Sequence, residues 1–318
     1  MFLPFPLKKF RGAMTLSKIL MVGAGYTGLE IARQAREAGL DVVATTSNPE
    51  RRQALEALGA LVLEWKASAD ASPLAEHLDV HTALLYSVPP LPDTYAPGDE
   101  NSPAEHLIPL LAALKLAEAQ GCPRFVYLSS TSVYGDHNAQ WLDEDAELRP
   151  TSPQGKMRRD SELAVLGAEG IEGYTLRIVG IYGPGRTILG RLESGRYPLV
   201  DGGKKITNRI HVEDLAQAAL AVALRAPKGS RPYNVSDGQP TAVRELVSFV
   251  CEQTGLPMPE PISIEDYARR VQNPNVVARW TNSARVSNRR LLDELQIELR
   301  YPDVFAGYRP ILNARTSD

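Results

Sequence analysis

Three glycines, Gly23, Gly25 and Gly28, stand in the run GAGYTG, directly after the apolar stretch KILMVGA (18–24) and directly before TGLEIARQAREAGL. In a strand–turn–helix setting each glycine has a separate task. The first makes the tight turn, the second lets backbone approach a pyrophosphate, and the third lets helix and strand pack closely. The N–H groups and dipole of the helix N-terminus then face the phosphates. The spacing predicts a dinucleotide held by Gly23, Gly25, Tyr26, Thr27 and Gly28. About 20 residues further on, an acid would accept from a ribose 2′-hydroxyl. Here that stretch reads Thr45, Thr46, Ser47, Asn48, followed by Arg51 and Arg52. Guanidinium geometry matches a phosphate, so Thr46, Ser47, Arg51 and Arg52 favour NADP(H). NAD(H) stays open as the alternative if both arginines lie solvated on a helix surface.

The elements that would position these residues alternate along the first 180 residues. KILMVGA, DVVATT, ALVLEW, TALLYSV, RFVYLSS and YTLRIVGIYG are apolar runs of strand length. Between them lie helical patterns, among them PERRQALEALG, AEHLIPLLAALKLAEAQG and SELAVLGAEG. Repeated βα units with unalternated Val, Ile and Leu predict an α/β, doubly wound parallel Rossmann-type sheet. After YGPGR the pattern turns irregular, with VEDLAQAALAVALRA as a helix, YNVSD as a short strand and TAVRELVSFVCEQTG as a helix capped by Thr241. SIEDYARRV and SNRRLLDELQ read as small helices. The domain reading is a disordered extension or upstream start over 1–14, a dinucleotide-binding domain over 15–180 with 206–236 returning to it, and a smaller C-terminal substrate lobe over 181–205 and 237–318.

Composition narrows the function classes. The 318 residues are 43% hydrophobic and 23% charged with a formal net charge of −3, the balance of a globular chain without an electrostatic footprint for nucleic acid or an anionic membrane. The longest apolar stretch, LAQAALAVALRA (215–226), falls short of a bilayer span. Two cysteines, Cys122 and Cys251, lie far apart, which argues against a disulfide framework and for the reducing cytoplasm. The five histidines are scattered, without metal-ligand spacing.

Beyond residue 17 several further stretches occur in a fixed order: YLSSTSVYGD (127–136), DEDAELRPTSP (143–153), LRIVGIYGPGR (176–186), NRIHVEDLAQA (208–218) and YNVSDGQPT (233–241). Together with the glycine loop they make the chain resemble the extended short-chain dehydrogenase/reductases of the NAD-dependent epimerase/dehydratase type. The resemblance implies that Ser130, three positions before VYG, binds a substrate oxygen. It also implies that a Tyr-x-x-x-Lys pair should follow the SP of residues 152–153. The frame aligns without a gap and places Gln154 at the tyrosine position and Arg158 at the lysine position. A phenol can be brought towards operating pH by a neighbouring cation and then exchange a proton; a glutamine amide orients a carbonyl but does not titrate. Arg158 keeps the charge and is expected to contact ribose or pyrophosphate.

Candidates for a replacement acid are Tyr134, Tyr182 and His137. Pro184 resembles the proline that shapes the nicotinamide pocket. His211 and Asp214 resemble the segment that ties two lobes together, and Asn208, Arg285 and Asn288 fall where relatives line the substrate cleft. The expected function is an NAD(P)-dependent oxidoreductase or epimerase-like protein acting on a small carbonyl or alcohol, with catalytic positions Ser130, Gln154, Arg158 and Tyr134. A non-catalytic NADP(H)-binding sensor or partner-binding module is the alternative. No nucleic acid or membrane partner is expected, and the chain is read as a monomer or homodimer.

Overall fold

The computed structural model describes residues 16–90 and 104–315; the extension expected over 1–14 lies outside the described residues. In chain order the first half runs β1 (Lys18–Val22), α1 (Tyr26–Glu37), β2 (Asp41–Thr45), α2 (Pro49–Ala57), β3 (Leu61–Leu63), β4 (Thr82–Tyr86), α3 (Ile108–Ala119), β5 (Arg124–Ser130), β6 (Trp141–Leu142) and α4 (Pro153–Leu166). It continues as β7 (Glu172–Ile178), β8 (Gly180–Tyr182), α5 (Leu189–Glu193), β9 (Leu199–Val200), β10 (Ile206–Thr207), β11 (Arg209–His211), α6 (Val212–Arg225) and β12 (Arg231–Val235). The remainder is β13 (Thr241–Ala242), α7 (Val243–Thr254), β14 (Pro261–Ile262), α8 (Ile264–Val271), α9 (Pro274–Thr281), β15 (Arg285–Val286), α10 (Arg289–Leu295) and α11 (Val304–Arg315).

The central sheet has seven strands in the order β12-β7-β5-β4-β1-β2-β3. β1 lies parallel to β2 on one side and β4 on the other, with Lys18 opposite both Asp41 and Thr82. The order therefore reverses direction at β1, and β2–β3 and β4–β5 carry the two wings outward, again in parallel. Ile19 to Val22 are wholly buried, and so are all five residues of β4. This is why their sequences show apolar runs rather than alternation. α1 buries Ile31, Ala32 and Ala35, and α3 buries Leu110, Ala113, Leu114 and Ala117, the three- and four-residue spacing of one helix face. The doubly wound sheet expected from the sequence is the one observed.

Two compact units divide the chain. One takes the chain through Ser130 together with Lys156–Arg177 and Ala216–Tyr233; the other takes Thr131–Gly155, Ile178–Leu215 and the chain from Asn234 onward. A core in the first unit gathers Leu20, Val22, Leu84, Leu114, Phe125 and Val165. A separate core in the second gathers Tyr182, Leu199, Val247, Val250, Val304 and Tyr308.

Several local expectations are corrected. The long helical pattern from 104 begins as a 3₁₀ turn (Glu105–Leu107), and α3 starts only at Ile108, where Pro109 can sit in the first turn without costing a helix hydrogen bond. YTLRIVGIYG is two strands, and β8 leaves the central sheet to pair in parallel with β11. Thr241 does not cap α7. It lies in β13 with its hydroxyl donating to Gln239 O, while the Glu245 carboxylate accepts from the N–H of the cap residue Ala242. No helix among the described residues is long and apolar enough to cross a membrane.

Candidate functional site

The glycine loop leaves β1 at the point where the sheet order reverses. Gly23 has φ +82°, and its N–H donates to Thr45 Oγ1 at 3.0 Å. A Cβ there would come within 2.8 Å of Val88, in the loop after β4. Gly28 is closed on the other side, where a Cβ would press on Met21 at 3.1 Å and Ala24 at 3.2 Å. Between them Gly25 faces open space, with nothing within 4 Å of a built Cβ. Gly25 is also the N-cap of α1, which has no side-chain cap and no acid in its first turn. Uncapped N–H groups, a helix dipole and clear space at Gly25 are what the phosphates of a dinucleotide require, so these residues fit that group.

The loop after β2 sorts the remaining cofactor candidates. Thr46 Oγ1 accepts from Asn48 N, and Asn48 caps α2 by accepting from Arg51 N at 2.9 Å. Ser47 is exposed. Arg51 and Arg52 part company. Arg51 reaches back over the Tyr26 ring, 6.0 Å from its centroid. Arg52 turns to the opposite side, within 3.5 Å of Glu56 and 3.4 Å of Glu64, with Val62 O as a further acceptor. Arg51 is thus the arginine brought to the first residue of α1.

Gln154 and Arg158 lie one turn apart in α4, on one face of the helix. The helix starts where it does because Gly155 permits a close approach: a Cβ would stand 2.6 Å from Ser132 O. Ser152 Oγ accepts from Gly155 N. Arg158 Nη1 donates to Leu128 O on β5 at 3.3 Å. Behind it lies a buried polar group that sequence reading did not anticipate: Tyr127, Ser129 and Glu162, with Arg177 paired to Glu162 at 2.9 Å. Burial pushes the Tyr127 hydroxyl well above its ordinary range, partly offset by the Arg158 charge. Ser130 ends β5, half-buried.

The replacement acids are placed elsewhere. Tyr134 is buried, its hydroxyl 2.9 Å from Asp143 O and 2.8 Å from Asn234 Oδ1. Tyr182 is buried between Tyr308, stacked at 5.2 Å, and the edge of His211, and burial raises its pKa far above the usual phenol range. His137 Nε2 lies 3.1 Å from Tyr134 O. Pro184 and Gly185 are the central residues of a tight turn closed by Gly183 and Arg186, with Gly185 at φ +72°, the pattern of a type II turn.

The remaining polar candidates tie backbone segments together within the second unit. Asp214 accepts from Arg300 N at 2.7 Å and Tyr301 N at 3.0 Å. Asn208 bridges Ala284 O and Val286 N, Arg285 donates to Ala139 O, and Asn288 donates to Ser236 O.

Fold and loop together define a nucleotide-binding α/β protein of the Rossmann class. More narrowly, the chain belongs to the NAD dependent epimerase/dehydratase family, whose model matches residues 19–236. It is similar to Protein YeeZ of Escherichia coli K12, 26% identical over 292 residues that cover 91% of this chain and 97% of that protein. Among solved structures, a functionally unknown conserved protein from Silicibacter pomeroyi superposes with a TM-score of 0.78 at 30% identity, covering 94% of this chain and 99% of that one. MoeE5 in complex with UDP-glucuronic acid and NAD shares the fold at a TM-score of 0.72 and 23% identity, over 95% and 100% of the two chains.

Proposed function

We propose that the chain is an NAD(P)-dependent oxidoreductase or epimerase-like enzyme of atypical active site, acting on a small carbonyl or alcohol, with NADP(H) preferred. The observation that carries this reading is the open, uncapped glycine loop with Arg51 drawn over Tyr26 and no acid at the end of β2. The bound dinucleotide would supply or accept hydride. Gly23, Gly25, Tyr26, Thr27 and Gly28 hold its phosphates, Arg51 meets a 2′-phosphate beside Thr46 and Ser47, and Pro184 shapes the far end. Ser130 donates to the substrate oxygen, and Gln154 orients it. Gln154 does not titrate and burial raises Tyr182 far above the usual phenol range, so a water or another side chain supplies the proton. Arg158 supplies positive charge near β5. The buried free cysteines Cys122 and Cys251 support a reducing cytoplasmic setting.

Thermal-shift titration with NADPH, NADP, NADH and NAD tests the reading. At 100 times its dissociation constant a ligand stabilises the fold by about 2.7 kcal/mol. A larger shift with the phosphorylated pair is expected; absence of any shift sinks it.

A second reading, a non-catalytic NADP(H)-binding sensor, is favoured by the tether of Arg158 to Leu128 O and the enclosure of Tyr134 and Tyr182. Single-turnover oxidation of bound NADPH by any member of a carbonyl panel would eliminate it. The variant Gln154→Tyr with Arg158→Lys should raise turnover if the pocket accepts a reducible substrate, because general acid/base catalysis contributes about 10²–10⁴-fold.

A further inference from the structure

The second unit contains a cavity of about 330 Å³ lined by Asp201, Lys204, Lys205, Trp280, Thr281 and Ser283. Two successive lysines enter it from a backbone that cannot shift freely. Gly202 and Gly203 both have positive φ, and a Cβ on Gly203 would collide with Arg244 N at 2.7 Å. Lys205 is drawn inward, its ammonium donating to Arg279 O at the end of α9. Burial, and then the Arg209 charge, push its pKa down to about 8 against the pull of Asp136.

The carboxylates near these lysines are Asp201 and Asp136, and both have backbone partners: Ser283 N donates to Asp136 Oδ1 at 3.0 Å. Asp201 commits Oδ1 to the backbone N–H of Ile264 at 2.9 Å. Arg209 lies outside the lining; its charge reaches Lys205, and its buried Nε has no hydrogen-bond partner among the described residues. Cations gathered in a partly dehydrated cavity are costly unless an anion joins them. Ser283 Oγ accepts from Ile206 N and keeps a proton to donate. Trp280 is steadied by edge contacts to Tyr197 at 6.2 Å and Tyr267 at 5.9 Å, so a fixed indole lines the cavity.

We propose that this cavity binds a small anionic molecule, its carboxylate or phosphate held by Lys204 and Lys205 and its body against Trp280. Identifying that molecule as the substrate rests on the small-molecule reading above; binding itself does not. The cavity would then select acids over neutral carbonyls.

The chain has three tryptophans, so Trp65→Phe with Trp141→Phe leaves Trp280 as the reporter. Its fluorescence would be titrated at constant ionic strength with inorganic phosphate, pyrophosphate, benzoate and, as the neutral control, benzyl alcohol. A saturable change with an anion and none with the alcohol is expected, and whether phosphate or benzoate binds distinguishes the two headgroups. Lys204→Gln with Lys205→Gln should weaken binding roughly tenfold or more, since bonds to charged groups carry that much. Exposed Lys204→Gln alone should weaken it in the same direction if the double variant does not fold.

Binding should also decline above about pH 8 as Lys205 loses its proton; the charged groups around it are Lys204, Arg209, Asp201 and Asp136. No saturable change with any anion, or unchanged affinity in both lysine variants, overturns the proposal. A dinucleotide thermal shift run on the same samples separates the readings. Anion binding without that shift supports the cavity and sinks the dinucleotide reading; the shift without anion binding does the reverse.

Discussion

Glu162 on α4 and Arg177 on β7 form an ion pair at 2.9 Å with side chains only 1% and 5% exposed. The same carboxylate feels the charge of Arg158, one turn earlier in α4. Burial pushes the Glu162 carboxyl up more strongly than Arg177 and Arg158 pull it down. Removing one partner strands the other charge. Glu162→Ala or Arg177→Ala should therefore cost about 3–5 kcal/mol, while Glu162→Leu with Arg177→Met should cost less than either. Urea midpoints at unchanged slope would check this, and an additive loss in the double variant would refute it.

Adjacent arginines give opposite expectations. Arg51 lies over Tyr26, whereas Arg52 is occupied by Glu56 and Glu64. Arg51→Gln should weaken NADPH relative to NADH by roughly tenfold, the order of one charge-assisted bond. Arg52→Gln should leave the ratio unchanged and lower stability slightly. Calorimetric titration of both variants with both cofactors decides; a loss confined to Arg52→Gln would reverse the assignment.

The glycines separate folding from binding. Gly23 needs its left-handed backbone and has no room for a Cβ beside Val88. Gly23→Ala should thus lower stability by at least about 1–2 kcal/mol. Gly25 has φ −84° and open space around it. Gly25→Val should lower the melting temperature modestly, the cost of Val at an N-cap, and abolish the dinucleotide shift, because its methyls occupy the approach to the phosphates. Retained binding in Gly25→Val would remove the loop from consideration.

Asp237 makes stability pH-dependent in an uncommon direction. Its carboxyl is pushed up to about 7, chiefly by burial; Oδ1 accepts from Gln239 N and Oδ2 is buried without a hydrogen-bond partner among the described residues. A folded carboxyl with a raised pKa binds its proton more tightly than the unfolded chain does, so stability falls as pH rises from about 4 to 7 and then levels. Asp214, raised to about 6 by burial, acts in the same sense. Asp237→Asn keeps the bond to Gln239 and removes the charge. It should stabilise the protein at pH 8 by up to about 4 kcal/mol and flatten that slope. Denaturant melts between pH 4 and 8 measure both; a variant less stable at pH 8 would disprove the account.

The sheet, the glycine loop and the family were readable from the chain because each rests on local signals. Unalternated apolar runs mark strands buried on both faces, and three spaced glycines satisfy constraints of turn, approach and packing within six residues. Side-chain destinations were not readable. Neighbours on a helix point about 100° apart, so Arg51 and Arg52 could be told apart only when Tyr26, Glu56 and Glu64 took their places in space. Tyr134 and Tyr182 looked available as acids until Asn234 and Tyr308, each 100 or more positions away, enclosed them. Burial and charge at a given atom are set by segments distant in sequence, and only the tertiary structure brings those segments together.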